Sequence, residues 1–210
     1  EDARDVLLSR RAYDLRTLPE GAIIGTSSLR RQAQVLSVRP DLRIAGLRGN
    51  LDTRLRKLSE GQYDAIIVAG AGLKRLGSRA VNKKVLSLNV LLPSCGQGAL
   101  AVQVRSGDRR MQTVAAGIHD KMTGICVDCE RAFLRETRAG CRMPVAAYAT
   151  VRGRTVTLEA MIISLDGRKK VRIKDSAPVA EHETLGRELA RQALAEGGKE
   201  ILDEIRRSTG

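Results

Sequence analysis

The residue with the most reactive setting is Cys141, in Ala139-Gly140-Cys141-Arg142-Met143-Pro144. Gly140 gives this loop backbone freedom and Pro144 fixes its exit. Arg138 and Arg142 flank the thiol, and nearby cations favour the thiolate, the form that attacks carbon electrophiles. A buried structural cysteine is the competing reading, and local evidence leaves both open. The second chemical signal is arginine. Arg30 and Arg31 lie in Gly25-Thr26-Ser27-Ser28-Leu29-Arg30-Arg31-Gln32. Arg48 and Arg54 bracket Gly49-Asn50, and Arg75 ends Gly70-Ala71-Gly72-Leu73-Lys74-Arg75. Planar guanidinium groups suit bidentate binding of carboxylates. One such pair on a helix is as readily plain solvated surface. Three clusters that follow three strands indicate a pocket for several anions.

Other motifs fail on context. Gly70-Ala71-Gly72 lacks the third glycine of a dinucleotide fingerprint, because Arg75 occupies that place. Gly96-Gln97-Gly98-Ala99-Leu100-Ala101 has the right letters but leads into a strand pattern. Cys126 and Cys129 form a C-x-x-C inside a helical pattern with no second ligand pair, so a packed helix face is favoured over metal or redox use. His119 and His182 stand alone, which leaves hydrolytic triads and zinc sites without material.

The elements that must carry these residues alternate. Residues 22–25, 42–47 and 65–69 read as strands. Helices are expected over 29–38, over 51–58 and around Leu73. That alternation argues for a parallel sheet with helices on its faces, where loops at the carboxyl ends of the strands line the ligand crevice. A Lys-rich linker at 82–84 follows, then a strand over 98–105 and a helix over 109–117. A longer helix is expected over 121–138. Beyond Pro144, strands at 145–152, 155–164 and 169–174 are expected to be antiparallel, with Asp166-Gly167 as a hairpin turn. One closing helix is expected over 183–207.

Composition narrows the partners. The 210 residues carry 37 Lys plus Arg against 24 Asp plus Glu, a net charge of +13, which calls for an anionic partner. With one Phe, three Tyr and no Trp, a stacking platform for single-stranded bases is not available, so a nucleic-acid partner is disfavoured. No stretch approaches a membrane span. Four irregularly spaced cysteines do not make a disulfide framework, and a reducing, cytoplasmic compartment is expected.

Taken together, the motifs GTSSLRRQAQ, Leu47-Arg48-Gly49-Asn50 with Thr53-Arg54-Leu55, AGLKRLG, GQGAL, and ERAFLR followed by GC-x-x-P resemble the porphobilinogen deaminase family, in order along essentially the whole chain. The resemblance implies a transferase of haem biosynthesis that joins four porphobilinogen molecules into the linear tetrapyrrole hydroxymethylbilane, with release of ammonia. It implies a dipyrromethane cofactor held by a thioether to Cys141. Thr26, Ser27, Ser28, Arg30, Arg31, Arg48, Arg54, Gly72, Arg75 and Gln97 then become cofactor- and substrate-binding positions. The implied partners are porphobilinogen, the growing pyrrole chain and an N-terminal domain, in a monomeric full-length form, with neither nucleic acid nor membrane.

The fold so implied is α/β: a periplasmic-binding-protein-like parallel or mixed sheet domain, followed by a smaller α+β domain with an antiparallel sheet. Its divisions are 1–95, then 96–119 as a strand and helix of the family's first domain, then 120–210. The alternative is a non-catalytic module that binds a polycarboxylate or phosphate. The family's catalytic aspartate belongs to an N-terminal segment that the sequence does not contain, so no residue here takes its role. Residues 1–210 alone are therefore expected not to turn over porphobilinogen; deaminase activity of the purified chain would refute this.

Overall fold

The computed structural model describes residues 1–77, 82–140 and 143–209. Cys141 and Arg142 lie outside the described residues.

The first sheet has five strands in the order β3-β2-β4-β1-β5. They are β1 (Asp5–Ser9), β2 (Ile23–Gly25), β3 (Arg43–Ala45), β4 (Ala65–Ala69) and β5 (Lys83–Val85). β2 is parallel to β3 and β4, whereas β1 runs antiparallel to β4 and β5. The expectation of a parallel or mixed sheet therefore holds as a mixed one. Helices α1 (Leu29–Val38), α2 (Leu51–Ser59) and α3 (Gly70–Arg75) follow β2, β3 and β4 as the alternation requires. Ser28 caps α1 and Asn50 caps α2, each accepting a hydrogen bond from the backbone N–H three residues on. Apolar clusters form on both faces of the sheet. One contains Leu7, Ile24 and Ile67, the other Leu8, Ile66 and Val68, as alternation along a strand covered on both sides demands.

Residues 82–84 are not simply a linker. Lys83 and Lys84 open β5 and pair with Leu8 and Leu7 at the sheet edge, where exposed lysines also deter pairing with further chains. The run from Gly98 to Arg105 is a second correction, because it forms no strand. A strand needs a neighbour for its backbone groups, and no described strand lies alongside this one. Leu100 and Val102 are accordingly exposed. Helix α4 (Arg109–Gly117) follows at the expected place, with Met111, Val114 and Ile118 exposed.

The second unit packs α5 (Lys121–Glu136) and α6 (His182–Ala193) on a three-stranded antiparallel sheet, β6 (Val145–Arg152), β7 (Thr155–Ile163) and β8 (Lys170–Pro178). The α+β expectation holds in strand order and sense. The single closing helix does not. Gly197 takes φ 106° and splits it into α6 and α7 (Lys199–Thr209), so that α7 also folds back onto the sheet through Ile201, Leu202 and Ile205. Gly186 lets α6 approach α5, since a Cβ there would collide with the carbonyl oxygen of Cys129. Cys129 is fully buried and its thiol is pushed up to about 12 by burial, which suits a packed helix face.

The two sheets are joined tightly. Ala33 and Leu92 pack against Ala146, Met161 and Ile163 in one buried cluster. Arg172 donates to the carbonyls of Leu88 and Asn89 while pairing with Glu159. The Asp166-Gly167 turn lies against the backbone of α1, where a Cβ on Gly167 would strike Ala33 and Ser37.

Glu130 fixes a fourth junction from inside α5. Its carboxyl accepts from Gly96 N at 2.6 Å and from Ala149 N at 2.8 Å. Burial nevertheless pushes it up to about 7, above its ordinary carboxyl value. The folded state therefore holds the proton more tightly than the unfolded chain. The corresponding stabilisation is full below about pH 4.5 and disappears as pH rises through about 7. Urea unfolding is expected to show roughly 2 to 3 kcal/mol of this stability lost between about pH 5 and pH 8. Glu130→Gln should remove that slope while lowering stability at pH 5, because its amide nitrogen would face a backbone N–H. An unchanged slope in the variant would contradict the assignment.

Candidate functional site

The arginine clusters converge on the carboxyl-terminal edge of β2, β3 and β4. β1 reaches the same edge with its amino end, because it is antiparallel: Asp5 pairs with Ala69, the last residue of β4. This brings a carboxylate to the place where α1 presents Arg30 and Arg31.

Asp5 is fully buried and Arg30 nearly so. Arg30 Nη1 donates to Asp5 Oδ2 at 2.8 Å and to the Leu92 carbonyl at 2.7 Å. Arg31 donates to Asp5 Oδ1 through Nε at 3.1 Å and Nη2 at 2.8 Å, and through Nη1 to the Ile67 carbonyl at 3.1 Å. Burial lowers the proton affinity of the Arg30 guanidinium, and the Asp5 charge opposes that effect. Among the described residues, Arg30 Nε is the buried side-chain polar atom left without a partner.

Gln97 closes the network. Gly96 and Gly98 take φ 71° and 90°, so the Gly-Gln-Gly sequence makes a turn that other residues adopt poorly. The turn delivers the Gln97 amide to Asp5 Oδ1 at 2.9 Å and to the Ala3 carbonyl at 2.6 Å, while its Oε1 accepts from Arg30 Nη2 at 3.2 Å. Gln34 secures the other side, exchanging hydrogen bonds with the N–H and C=O of Leu92. Neither Asp5 nor Gln34 stands out in the sequence. The signal that could identify Asp5 is an acidic residue opening an apolar run, which placed next to two arginines must pair to be buried.

The hydroxyl residues hold the same edge together. Ser27 Oγ donates to the Leu47 carbonyl at 2.9 Å and accepts the Leu47 N–H at 3.0 Å, stitching the loop after β2 to the loop after β3. Thr26 is buried and its Oγ1 accepts from Ser28 N at 3.2 Å, while Ser28 Oγ accepts from Arg31 N. In that second loop Arg54 Nε donates to the Gly49 carbonyl at 2.9 Å, leaving its two terminal nitrogens open. Arg48 and Arg75 are exposed, and among the described residues Arg48, Arg54 and Arg75 make no ion pair. Gly72, in α3, faces open space. The structure thus joins Arg30, Arg31 and Gln97 through Asp5, and places Arg48, Arg54 and Arg75 in loops and helices opening from the same sheet edge. Cys141 is the expected site residue that lies outside the described residues.

This edge can neutralise several carboxylates at once, with a rigid inner arginine pair and freer outer arginines. Comparison with known proteins agrees with that character. Residues 1–113 match the family model described as porphobilinogen deaminase, dipyromethane cofactor binding domain, and residues 124–195 match the porphobilinogen deaminase C-terminal domain. The porphobilinogen deaminase of Moorella thermoacetica is 46% identical over 210 residues, covering 100% of this chain and 67% of that protein. That of Thermus thermophilus is 46% identical over 207 residues, covering 98% of this chain and 69% of its own length. A solved periplasmic binding protein of Salmonella typhimurium aligns with 59% of this chain at a TM-score of 0.33 and 12% identity, too remote to carry an argument. The chain spans about two thirds of the length of these curated relatives, and it belongs to the porphobilinogen deaminase family.

Proposed function

We propose that this sheet edge binds the acetate and propionate groups of pyrroles, so that the chain serves the reaction its relatives are named for. In that reaction four porphobilinogen molecules are condensed into hydroxymethylbilane with loss of ammonia. The observation that carries the reading is the unpaired Nε–H of buried Arg30, in a cluster of two arginines and one carboxylate that keeps one net positive charge. An orphaned, nine-tenths buried donor costs free energy unless an acceptor completes it, and a ligand carboxylate is the acceptor that the excess charge favours.

The residues present fit the dipyrromethane group named by the matched family model. Arg30 and Arg31 would meet carboxylates at the inner end of the crevice. Arg48, Arg54 and Arg75 would meet those nearer solvent, with the Ser28 hydroxyl proton available beside them. Gln97 would support Arg30, and the open space at Gly72 would leave room for the group. Cys141 would hold the group covalently through its sulfur. When bound, the group supplies a pyrrole carbon nucleophile to which substrate units are added. The protein's own part is to bind, orient and neutralise a chain whose carboxylate number grows with each addition.

The division proposed with this reading remains 1–95, 96–119 and 120–210, most of the central segment falling within the matched cofactor-binding region. No helix among the described residues is long and apolar enough to cross a membrane. The reading places the enzyme in the cytoplasm, with a monomeric full-length form. The alternative of a plain anion-binding module is not favoured by relatives that share the whole chain at this identity.

Intact-mass spectrometry of the purified protein tests the reading. Incubated with hydroxymethylbilane, whose hydroxymethyl group leaves as water without deamination, the wild type is expected to gain covalent pyrrole mass and Cys141→Ser none; an unmodified wild type would overturn the assignment. The arginines should divide into two classes. Arg48→Leu and Arg75→Leu are expected to leave the melting temperature within about 2 °C while weakening porphobilinogen binding roughly tenfold. Arg30→Met should instead destabilise the fold by about 3 to 5 kcal/mol, by leaving Asp5 buried with diminished compensation. Calorimetry showing all three variants equally stable would refute this division.

A further inference from the structure

Among the described residues Asp5 touches both inner arginines and Gln97, yet it is acidic at a site built for acids. Oδ2 accepts from Arg30 Nη1, while Oδ1 accepts from Arg31 Nε, Arg31 Nη2 and Gln97 Nε2. A carboxylate with no exposure cannot be a docking point for solvent-borne ligands.

We propose that Asp5 is the positioning residue of the arginine pair: it fixes the planes of both guanidinium groups and cancels one of their two charges. The inference rests on the reading that this pair meets pyrrole carboxylates, and it adds how the pair is held ready for them. With Asp5 in place, the partners of the pair are backbone carbonyls and one buried-edge amide: Leu92 and Gln97 for Arg30, Ile67 for Arg31. The donors that remain are Arg30 Nε–H, one N–H on Arg30 Nη2, and one on each terminal nitrogen of Arg31. Their directions are set before any ligand arrives. That preorganisation removes an ordering cost from binding. Charge cancellation has a separate consequence. Two adjacent unpaired guanidinium groups could not be buried side by side, so without Asp5 the pair would not stay in place to meet a ligand.

The test compares Asp5→Asn and Asp5→Glu with wild type in the full chain, using porphobilinogen as probe. The dissociation constant of porphobilinogen, read by isothermal titration calorimetry and needing no deamination, is expected to rise roughly tenfold or more in Asp5→Asn. It is expected to recover to within about threefold of wild type in Asp5→Glu, which restores the charge. Equal dissociation constants for folded Asp5→Asn and wild type would overturn the proposal. Should Asp5→Asn not fold, Gln97→Leu keeps the carboxylate but removes the amide that braces it against Arg30. A roughly threefold rise is expected there, and no rise would overturn the proposal.

A second readout needs no ligand. In wild type the Arg31 Nε–H should give a slowly exchanging side-chain NMR signal that disappears in Asp5→Asn and Arg31→Lys. Retention of that signal in Asp5→Asn would defeat the proposal directly. Loss of the signal in a protein whose wild type takes up no pyrrole would instead remove the functional reading and leave the positioning role standing.

Discussion

A buried guanidinium is among the costliest groups a fold can contain, and Arg30 is buried together with a second arginine one residue away. Both are tolerated because Asp5 stands between them with no exposure to water. That requirement reaches far along the chain. It demands that β1 run antiparallel to β4, so that the first residue of one strand meets the last of the other. It demands the Gly96-Gln97-Gly98 turn, whose backbone brings an amide to the same carboxylate. It also ties Leu92, at the start of the crossing between the two sheets, to Arg30 and Gln34 at once.

The junction between the sheets inherits its rigidity from these anchors. Leu92 is fully buried beside Ala33 of α1 and Met161 of β7. Glu130 then connects the neighbouring Gly96 to β6, its side-chain carboxyl accepting from the backbone N–H of Gly96 and of Ala149. The loop that completes the arginine network is therefore held from both sheets. Inner arginines are braced by this frame, whereas Arg48 and Arg75 are exposed on its rim. A site of that kind suits a ligand that is gripped at one end while its other end lengthens.

Much of the fold is legible in the sequence where local pattern and tertiary packing agree. The apolar runs Ala65–Ala69 and Val145–Arg152 appear as strands at the expected residues, and Ser28 and Asn50 cap helices as their side chains favour. Errors occur where pairing decides. Asp5–Ser9 becomes an interior strand and Lys83–Val85 an edge strand only because each finds a partner. Gly98 to Arg105 has the alternation of a strand but no described neighbour, so it remains unpaired. Gly197 breaks a helix whose apolar period continues on both sides of it, which periodicity alone cannot reveal. In the site, the arginines and Gln97 could be picked out by type and spacing. Asp5 could not, since its role exists only once 25 residues of separation are folded away.

The central claim is that Asp5-braced arginines at the carboxyl edge of the first sheet receive pyrrole carboxylates. A crystal structure of the protein carrying its covalent pyrrole group tests this most directly. The account predicts acetate or propionate oxygens within hydrogen-bond distance of Arg30 or Arg31 and of at least one of Arg48, Arg54 and Arg75, with Asp5 still bridging Arg30 and Arg31. Carboxylates bound elsewhere, or Asp5 displaced so that a ligand takes its place between the two arginines, would contradict it.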